Sequence, residues 1–142
     1  SDIAGPVMIA GDARWLRQML YNLLDNAIKY TVPAGRVRVA LEGRDGGAEI
    51  CVSDTGPGIP EASQSRLFER FYRVDEARSR EDGGAGLGLA IALWVARSHK
   101  GDIKVDSRAG EGSTFRVVLP QGSSFQTKEE SGPGEDTVRI NF

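Results

Sequence analysis

The strongest constraint on the fold is a change in hydrophobic period within the first third of the chain. Apolar residues recur at helical spacing from about Asp12 until Pro33, which predicts a long amphipathic helix. Apolar and polar residues then alternate over 37–41, which predicts a half-buried strand. A turn at 44–47 leads into a second apolar strand over 48–53. The pattern therefore predicts a long helix followed directly by a β-hairpin.

Glycine and proline divide the rest of the chain. Two glycines and two prolines within 54–60 force a loop, because neither helix nor strand continues through them. The later patterns predict, in order, a helix over 61–72, a charged flexible lid over 75–84, a helix over 87–101 and strands over 103–107 and 114–119. We expect an N-terminal flank over 1–6, one domain over 7–120, and a flexible tail or non-native remnant over 121–142, with 138–142 as an alternative edge strand.

Composition excludes several classes of protein. With 142 residues, 39% of them hydrophobic, the chain is long enough for one core and too short for two ordinary domains. A net charge of -2 with no basic stripe argues against a nucleic-acid partner. The one cysteine, Cys51, lies in an apolar run, so we expect it to be buried and inert. No run approaches the roughly 20 apolar residues of a membrane span, so we expect no membrane contact in this segment.

Three polar side chains lie on one stripe of the first predicted helix. At about 100° per residue, Asn22, Asn26 and Lys29 fall within about 60° of one another. Amide oxygens suit Mg²⁺, which takes further ligands from water and phosphate, and Lys29 can meet phosphate charge directly. A solvated helix face is the alternative interpretation, because amphipathic helices normally carry polar stripes.

Two further segments have the composition of ligand-binding loops. Asp54 ends an apolar strand just before Gly56 and Gly58, where backbone can approach a ligand closely and a carboxylate can accept a hydrogen bond from an adenine amino group. An ordinary turn is the alternative. Residues 83–89 are glycine-rich and run into a helix, whose first N–H groups suit phosphates. They match neither a P-loop nor a dinucleotide fingerprint, and glycine flexibility without a ligand is the alternative.

His99 is the only histidine in the chain. It lies among basic residues in the last turn of a predicted helix, where a side chain that stabilises the helix end is the usual arrangement. We therefore expect a structural role for His99 rather than a phosphoryl acceptor or a general base.

In this order, the segments resemble the catalytic domains of sensor histidine kinases, within a superfamily that includes gyrase, heat-shock chaperone and mismatch-repair ATPases. The resemblance covers about residues 7–120. Its boxes are Asn22-Leu-Leu-Asp-Asn-Ala-Ile-Lys-Tyr-Thr (N box), Asp54-Thr-Gly-Pro-Gly-Ile (first glycine box), Leu67-Phe-Glu-Arg-Phe-Tyr-Arg-Val-Asp (F box), Gly84-Ala-Gly-Leu-Gly-Leu (second glycine box) and Gly110-Glu-Gly-Ser-Thr-Phe (last turn).

The resemblance implies an α+β fold, a two-layer sandwich in which three helices cover one face of a mixed sheet of about five strands, with a flexible ATP lid. It implies ATP and Mg²⁺ as cofactors. Asn26 and Asn22 would hold Mg²⁺, Asp54 would read adenine and Thr114 would assist at the base. The remaining nucleotide contacts implied are Lys29, Tyr30 and Arg73 near the phosphates or ribose, and Gly56, Gly58, Ile59, Gly84, Gly86, Leu87, Gly88 and Leu89, with Asn26, Lys29 and Arg73 as the catalytic candidates.

Position 22 favours a kinase over a hydrolase. Hydrolases of the superfamily typically carry a glutamate there as general base, and the amide of Asn22 cannot accept that proton. Positioning and charge neutralisation suffice for phosphoryl transfer to a histidine. A gyrase-type or chaperone-type ATPase is one alternative. A non-catalytic nucleotide-binding module is another, which Ala85 leaves open because relatives often carry Thr or Ser at that position.

The resemblance also implies a partner. The family's phosphoacceptor motif, a histidine followed by an acidic residue on a dimerisation helix, does not occur in this sequence. We therefore expect the dimerisation and phosphotransfer domain of the same parent kinase as the direct partner, and a response regulator as an indirect one. We expect this segment to be a monomer from the cytoplasmic portion of a membrane-anchored sensor, without autophosphorylation in isolation.

Overall fold

The computed structural model describes residues 2–3, 7–31, 33–44, 47–72, 86–120 and 137–140. Its elements in chain order are β1 (Asp2–Ile3), β2 (Val7–Ala10), α1 (Ala13–Tyr30), β3 (Val37–Arg44), β4 (Gly47–Asp54), α2 (Glu61–Gln64), α3 (Gly88–Ser98), β5 (Asp102–Arg108), β6 (Gly112–Leu119) and β7 (Thr137–Ile140). No helix of the described segments is both long and apolar enough to cross a membrane.

Helix α1 begins where the sequence predicts. The Asp12 carboxylate accepts hydrogen bonds from the backbone N–H groups of Arg14 and Trp15, at 2.9 and 3.2 Å, and so satisfies two donors that the helix leaves unpaired. The helix ends at Tyr30, shortly before the predicted breaker Pro33. Its apolar face buries Leu16, Met19, Leu23 and Ala27.

Five strands form one mixed sheet in the order β1-β3-β4-β6-β5. Strands β3 and β4 are the predicted antiparallel hairpin, with Val37 opposite Asp54. Strand β1 pairs parallel with β3, and the other pairs are antiparallel. The expected mixed sheet of about five strands is therefore confirmed. Its outermost strand on the β3 side, residues 2–3, lies within the segment that the sequence assigned to the N-terminal flank.

The helices cover one face of this sheet. Alternate residues of β4 are buried on that face, namely Ala48, Ile50, Val52 and Asp54. Helix α1 packs against β4 and against α3, and α3 also contacts β5 and β6. Among the described residues the core between the layers is apolar except for three buried polar side chains, which are Asp54 at the end of β4, Ser113 and His99.

A second, two-stranded sheet lies outside the main sheet. Strand β2 pairs antiparallel with β7, with Val7 opposite Ile140 and Ala10 opposite Thr137. The alternative edge strand near the end of the chain is thus confirmed over Thr137–Ile140, and the lead before Asp12 is a strand as well. The tail between Pro120 and β7 lies outside the described residues.

Two expectations about local structure were wrong. The predicted helix over 61–72 is a single turn, α2, and turns replace the helix over 65–71. Phe71 has a left-handed backbone (φ 64°) and its N–H donates to the carbonyl of Gly86, a long-range bond that a continued helix would exclude. Cys51 is only partly buried, because the alternation of β4 turns it to the face without helices.

Candidate functional site

Asp54 is a carboxylate held at the buried end of β4, with its side chain on the helix-covered face. Its Oδ1 accepts a hydrogen bond from the N–H of Gly56 at 2.9 Å, and the carboxyl also accepts from the N–H of Ser113. Burial raises the pKa of Asp54, and those two hydrogen bonds offset part of the increase. A carboxylate has about four acceptor positions, so Asp54 keeps acceptor capacity for a ligand donor.

The first glycine box is packed against backbone on two sides. A Cβ on Gly56 would collide with the carbonyl oxygen of Tyr30, at the end of α1. A Cβ on Gly58, whose φ is +76°, would collide with the carbonyl oxygen of Arg108, at the end of β5. Both glycines are therefore required by close approach of the protein's own backbone, and the loop places Asp54 beside the end of α1.

The N box contacts the second glycine box directly. The side-chain amide of Asn22 donates from Nδ2 to the carbonyl of Gly88 at 3.1 Å, and its Oδ1 accepts from the amide of Gln18 at 2.8 Å. Asn26 lies one turn further along α1, is half-buried, and has no hydrogen-bond partner among the described residues. Of the two asparagines, Asn26 therefore has the amide oxygen available to an outside group.

Lys29 is held by its own helix. Its Nζ lies 3.0 Å from the Asp25 carboxylate, one turn earlier, and both side chains are partly exposed. Exposed ion pairs at this spacing contribute only about 0.3–0.5 kcal/mol. Breaking the pair with Asp25, so that Lys29 can contact a stronger anion, therefore costs little free energy.

Helix α3 begins beside the N box, and no side chain of the described residues caps its N-terminal N–H groups. Leu87, in the N-cap position, makes no side-chain cap. Gly86 precedes it with φ +74° and packs against the backbone of Phe71. The N-terminal N–H groups and the positive end of the helix dipole therefore favour an anion at this end of α3.

Helix α1 links the two glycine boxes. Tyr30 lies against Gly56 and Asn22 against Gly88. Tyr30 follows Asn22 by eight positions, which corresponds to about 12 Å along the helix axis. A carboxylate acceptor at one end and an uncapped helix N-terminus at the other thus flank one side of α1, with Asn26 between them.

The structure separates Thr114 from Asp54. In the β4–β6 register Ser53 is opposite Thr114 and Asp54 is opposite Ser113. The hydroxyls of Ser53 and Thr114 lie 3.0 Å apart on the face without helices, whereas Ser113 is buried on the face of Asp54. The residue beside Asp54 is therefore Ser113, which is not among the site residues predicted from the sequence. The available signal was the alternation of β6, in which Ser113 shares a face with Phe115.

The remaining predicted site residues are distributed around these contacts. Ile59 is half-buried and its N–H donates to the hydroxyl of Ser107. Leu89 packs against the core and Leu87 is half-buried at the start of α3. Arg73, Gly84 and the predicted lid over 75–84 lie outside the described residues, so their roles stay predictions.

His99 has the structural role that the sequence predicts. It is fully buried, its Nε2 accepts from the N–H of Asp12 at 3.0 Å, and its Nδ1 lies 2.8 Å from the carbonyl of Val95. Because Nε2 is the acceptor, Nδ1 carries the proton and donates it to Val95. Both ring nitrogens are engaged inside the protein, so His99 joins the end of α3 to the start of α1.

Comparison with known families identifies the class of domain to which this fold and this order of boxes belong. The family described as "Histidine kinase-, DNA gyrase B-, and HSP90-like ATPase" matches residues 11–123. The chain belongs to this family.

Individual relatives place it among the histidine kinases. Sensor histidine kinase RppB of Synechocystis sp. (strain PCC 6803) is 46% identical over 121 residues, which are 84% of this chain and 27% of RppB. Sensor-like histidine kinase SenX3 of Mycolicibacterium smegmatis is 46% identical over 113 residues, 80% of this chain and 29% of SenX3. The chain spans less than a third of the length of these curated relatives.

Solved structures give the same result. Mycobacterial sensor histidine kinase MprB has a TM-score of 0.75 and 38% identity, over 86% of this chain and 83% of that one. Full-length ShkA in complex with AMPPNP has a TM-score of 0.67 and 32% identity, over 88% of this chain and 26% of that one. Within its family the chain is therefore similar to the corresponding domain of sensor histidine kinases.

Proposed function

We propose that this domain binds ATP with Mg²⁺ and positions the γ-phosphoryl group for transfer to a histidine on the dimerisation domain of the same parent kinase. The observation that carries the proposal is the arrangement along α1. Asp54, with unused acceptor capacity, lies at one end, and the uncapped N-terminus of α3 lies at the other. A nucleotide has matching chemistry, with amino donors on its base and negative charge on its phosphates.

The base is proposed to bind at Asp54. An adenine amino group donates hydrogen bonds, and the Asp54 carboxylate accepts them while its Oδ1 is held in place by Gly56. Ser113, buried on the same face, replaces Thr114 as the proposed second contact to the base.

The phosphates are proposed to bind between Asn26 and the start of α3. The amide oxygen of Asn26 fits Mg²⁺, because it is a neutral oxygen ligand without a protein partner among the described residues. Asn22 would ligate only after releasing Gln18. Mg²⁺ would neutralise phosphate charge during transfer. Lys29, after leaving Asp25, and Arg73 are proposed to contact the phosphates.

Transfer requires no base from this domain. An imidazole nitrogen of the partner attacks the γ-phosphorus, the bond from that phosphorus to the β–γ bridging oxygen breaks, and ADP leaves with the electron pair. The amide at position 22 cannot activate water, so hydrolysis is expected to be slow. The dimerisation domain, a response regulator further downstream and a cytoplasmic location are parts of this proposal.

Nucleotide binding provides the first test. Asp54→Asn replaces an acceptor oxygen by a donor, and a hydrogen bond to a charged group contributes about 1.5–3 kcal/mol, so the Kd for Mg-ATP should rise roughly 10-fold to 150-fold. Asp106→Asn, an exposed carboxylate on β5, is the matched control and should bind normally. Calorimetric titration measures both. Equal Kd values for wild type and Asp54→Asn would exclude the proposed base site.

Phosphoryl transfer provides the second readout. Label from γ-labelled ATP should pass to a separately made fragment encoded just upstream, as an acid-labile and base-stable phosphoryl group, and Asn26→Ala should abolish it. Rapid phosphate release without label would indicate an ATPase instead. Neither signal, with intact binding, would indicate a nucleotide-binding module.

A further inference from the structure

The hydroxyl of Ser107, near the end of β5, is the centre of a polar cluster beneath the first glycine box. It accepts the N–H of Ile59 at 2.8 Å, donates to the carbonyl of Gly112 at 3.0 Å, and lies 2.9 Å from the hydroxyl of Ser113. Because a serine has one proton and Ser107 gives it to Gly112, the proton between the two hydroxyls comes from Ser113. Ser107 thus donates once and accepts twice, which uses its full capacity.

Gln64 completes the cluster from the end of α2. Its Nε2 donates to the carbonyl of Ile59 and to the carbonyl of Ser107, both at 3.0 Å. The N–H and the carbonyl of Ile59 are therefore both held, the first by Ser107 and the second by Gln64. We call Ser107 and Gln64 the loop clamp.

The loop clamp also determines which way the hydroxyl of Ser113 points. With its proton directed to Ser107, Ser113 presents only oxygen lone pairs to its other side. Its backbone N–H donates to the Asp54 carboxyl. Two acceptors, the Asp54 carboxylate and the Ser113 oxygen, thus belong to neighbouring residues on one face of the sheet, and no donor proton is left on either.

We propose that Ser107 and Gln64 are positioning residues for base selection, acting through Ser113 and through the loop that carries Gly56. This inference rests on the proposed nucleotide binding. A pair of acceptors matches an exocyclic amino group, which has two N–H donors, and repels the carbonyl oxygen that inosine and guanine carry at the same position. Loss of the clamp frees the Ser113 proton and the Ile59 peptide, so the preference for an amino group falls.

The test compares Kd values for Mg-ATP and Mg-ITP, two nucleotides that differ in the base substituent which meets the acceptors. Ser107→Ala should weaken ATP binding about tenfold and leave ITP binding within about twofold, so that the ATP-over-ITP preference falls about tenfold. Gln64→Met keeps a side chain of similar length but removes both amide N–H donors. It should also lower the ATP-over-ITP preference. This second variant keeps the test available if Ser107→Ala does not fold.

A matched control lies on the other face of the sheet. Ser53 is a half-buried serine on β4 whose hydroxyl pairs with Thr114, so Ser53→Ala removes an equivalent hydroxyl pair away from the clamp. It should keep the wild-type preference. Thermal unfolding and circular dichroism of each variant establish that it is folded.

The outcomes separate this inference from the proposed function. If Ser107→Ala and Gln64→Met keep the wild-type ATP-over-ITP preference, or weaken both nucleotides by the same factor, the clamp has only a structural role and the inference is wrong. If the wild type itself binds neither nucleotide, the proposed function fails first.

Discussion

Asp54 is a buried carboxylate, which lowers the stability of the fold and at the same time provides hydrogen-bond acceptors for a ligand. It is the acidic side chain among the buried polar residues of the described chain, which are Asp54, His99 and Ser113. Its two backbone donors, at Gly56 and Ser113, hold the carboxylate but do not fully replace water, so burial raises its pKa. A ligand that donates further hydrogen bonds to the Asp54 carboxylate would replace the hydrogen bonds from water that burial removes.

The raised pKa predicts a pH dependence of stability. Between the unfolded value near 3.8 and the higher folded value, the folded state binds more protons than the unfolded state, so the free energy of unfolding contributed by Asp54 decreases as pH rises. The difference in free energy of unfolding, wild type minus Asp54→Asn, should therefore fall from about pH 4 to about pH 7. Urea denaturation without nucleotide measures it. A difference that is constant or rises with pH would contradict the assignment.

Helices α1 and α2 differ in how far the local sequence determines them. The N-cap Asp12 and the apolar stripe of α1 lie within one stretch of sequence, and both were predicted. The length of the helix predicted over 61–72 was overestimated, because Leu67 and Phe68 do pack against the core but lie in turns that follow α2. Long-range hydrogen bonds and packing, rather than helical propensity, determine the backbone conformation over 65–71.

His99 connects two helix ends, which predicts a large effect of its removal on stability. His99→Ala leaves the N–H of Asp12 without its partner, removes the side-chain bond to the carbonyl of Val95 and opens a cavity in the core. The free energy of unfolding should fall by about 3 kcal/mol or more. Urea denaturation measures the loss, with Arg97→Ala, exposed on the same turn, as the control. Loss of phosphoryl transfer from a variant of normal stability would instead indicate a chemical role.

At the scale of the whole molecule, the site depends on one loop docked between two layers. The first glycine box contacts the end of α1 through Gly56 and the β5–β6 hairpin through Gly58, and Gly110 of that hairpin donates its N–H to the carbonyl of Pro57. The helix layer and the sheet are thus joined where Asp54 lies. A change in either contact should alter both stability and nucleotide affinity.

Gly58 and Gly110 allow the cost of a close backbone contact to be measured apart from the cost of a positive φ. Gly58 and Gly110 both have positive φ, +76° and +83°, but a Cβ on Gly58 meets Arg108 whereas one on Gly110 meets open space. Gly110→Ala should cost about 1–2 kcal/mol of stability, and Gly58→Ala at least about 2 kcal/mol more, with weaker Mg-ATP binding. Denaturation and titration measure both. Equal losses for the two variants would show that the close approach contributes nothing.

Features that depend on neighbours in the chain could be predicted from the sequence. These are α1 with its Asp12 cap, the β3–β4 hairpin, and the order of the glycine boxes from which the family is identified. Periodicity and turn residues encode them because each reflects the local preference of the backbone and the burial of one face. The outcome for His99 was also predictable, since a histidine in a helix's last turn stabilises that end.

Contacts between residues far apart in the sequence became known from the folded structure alone. It placed Ser113 instead of Thr114 beside Asp54, paired β2 with β7, shortened α2, and joined Ser107 and Gln64 to Ile59. Strand register sets which of two adjacent residues faces the core, and a shift of one position reverses it. That register depends on which strands meet and where, so no local pattern in the chain specifies it.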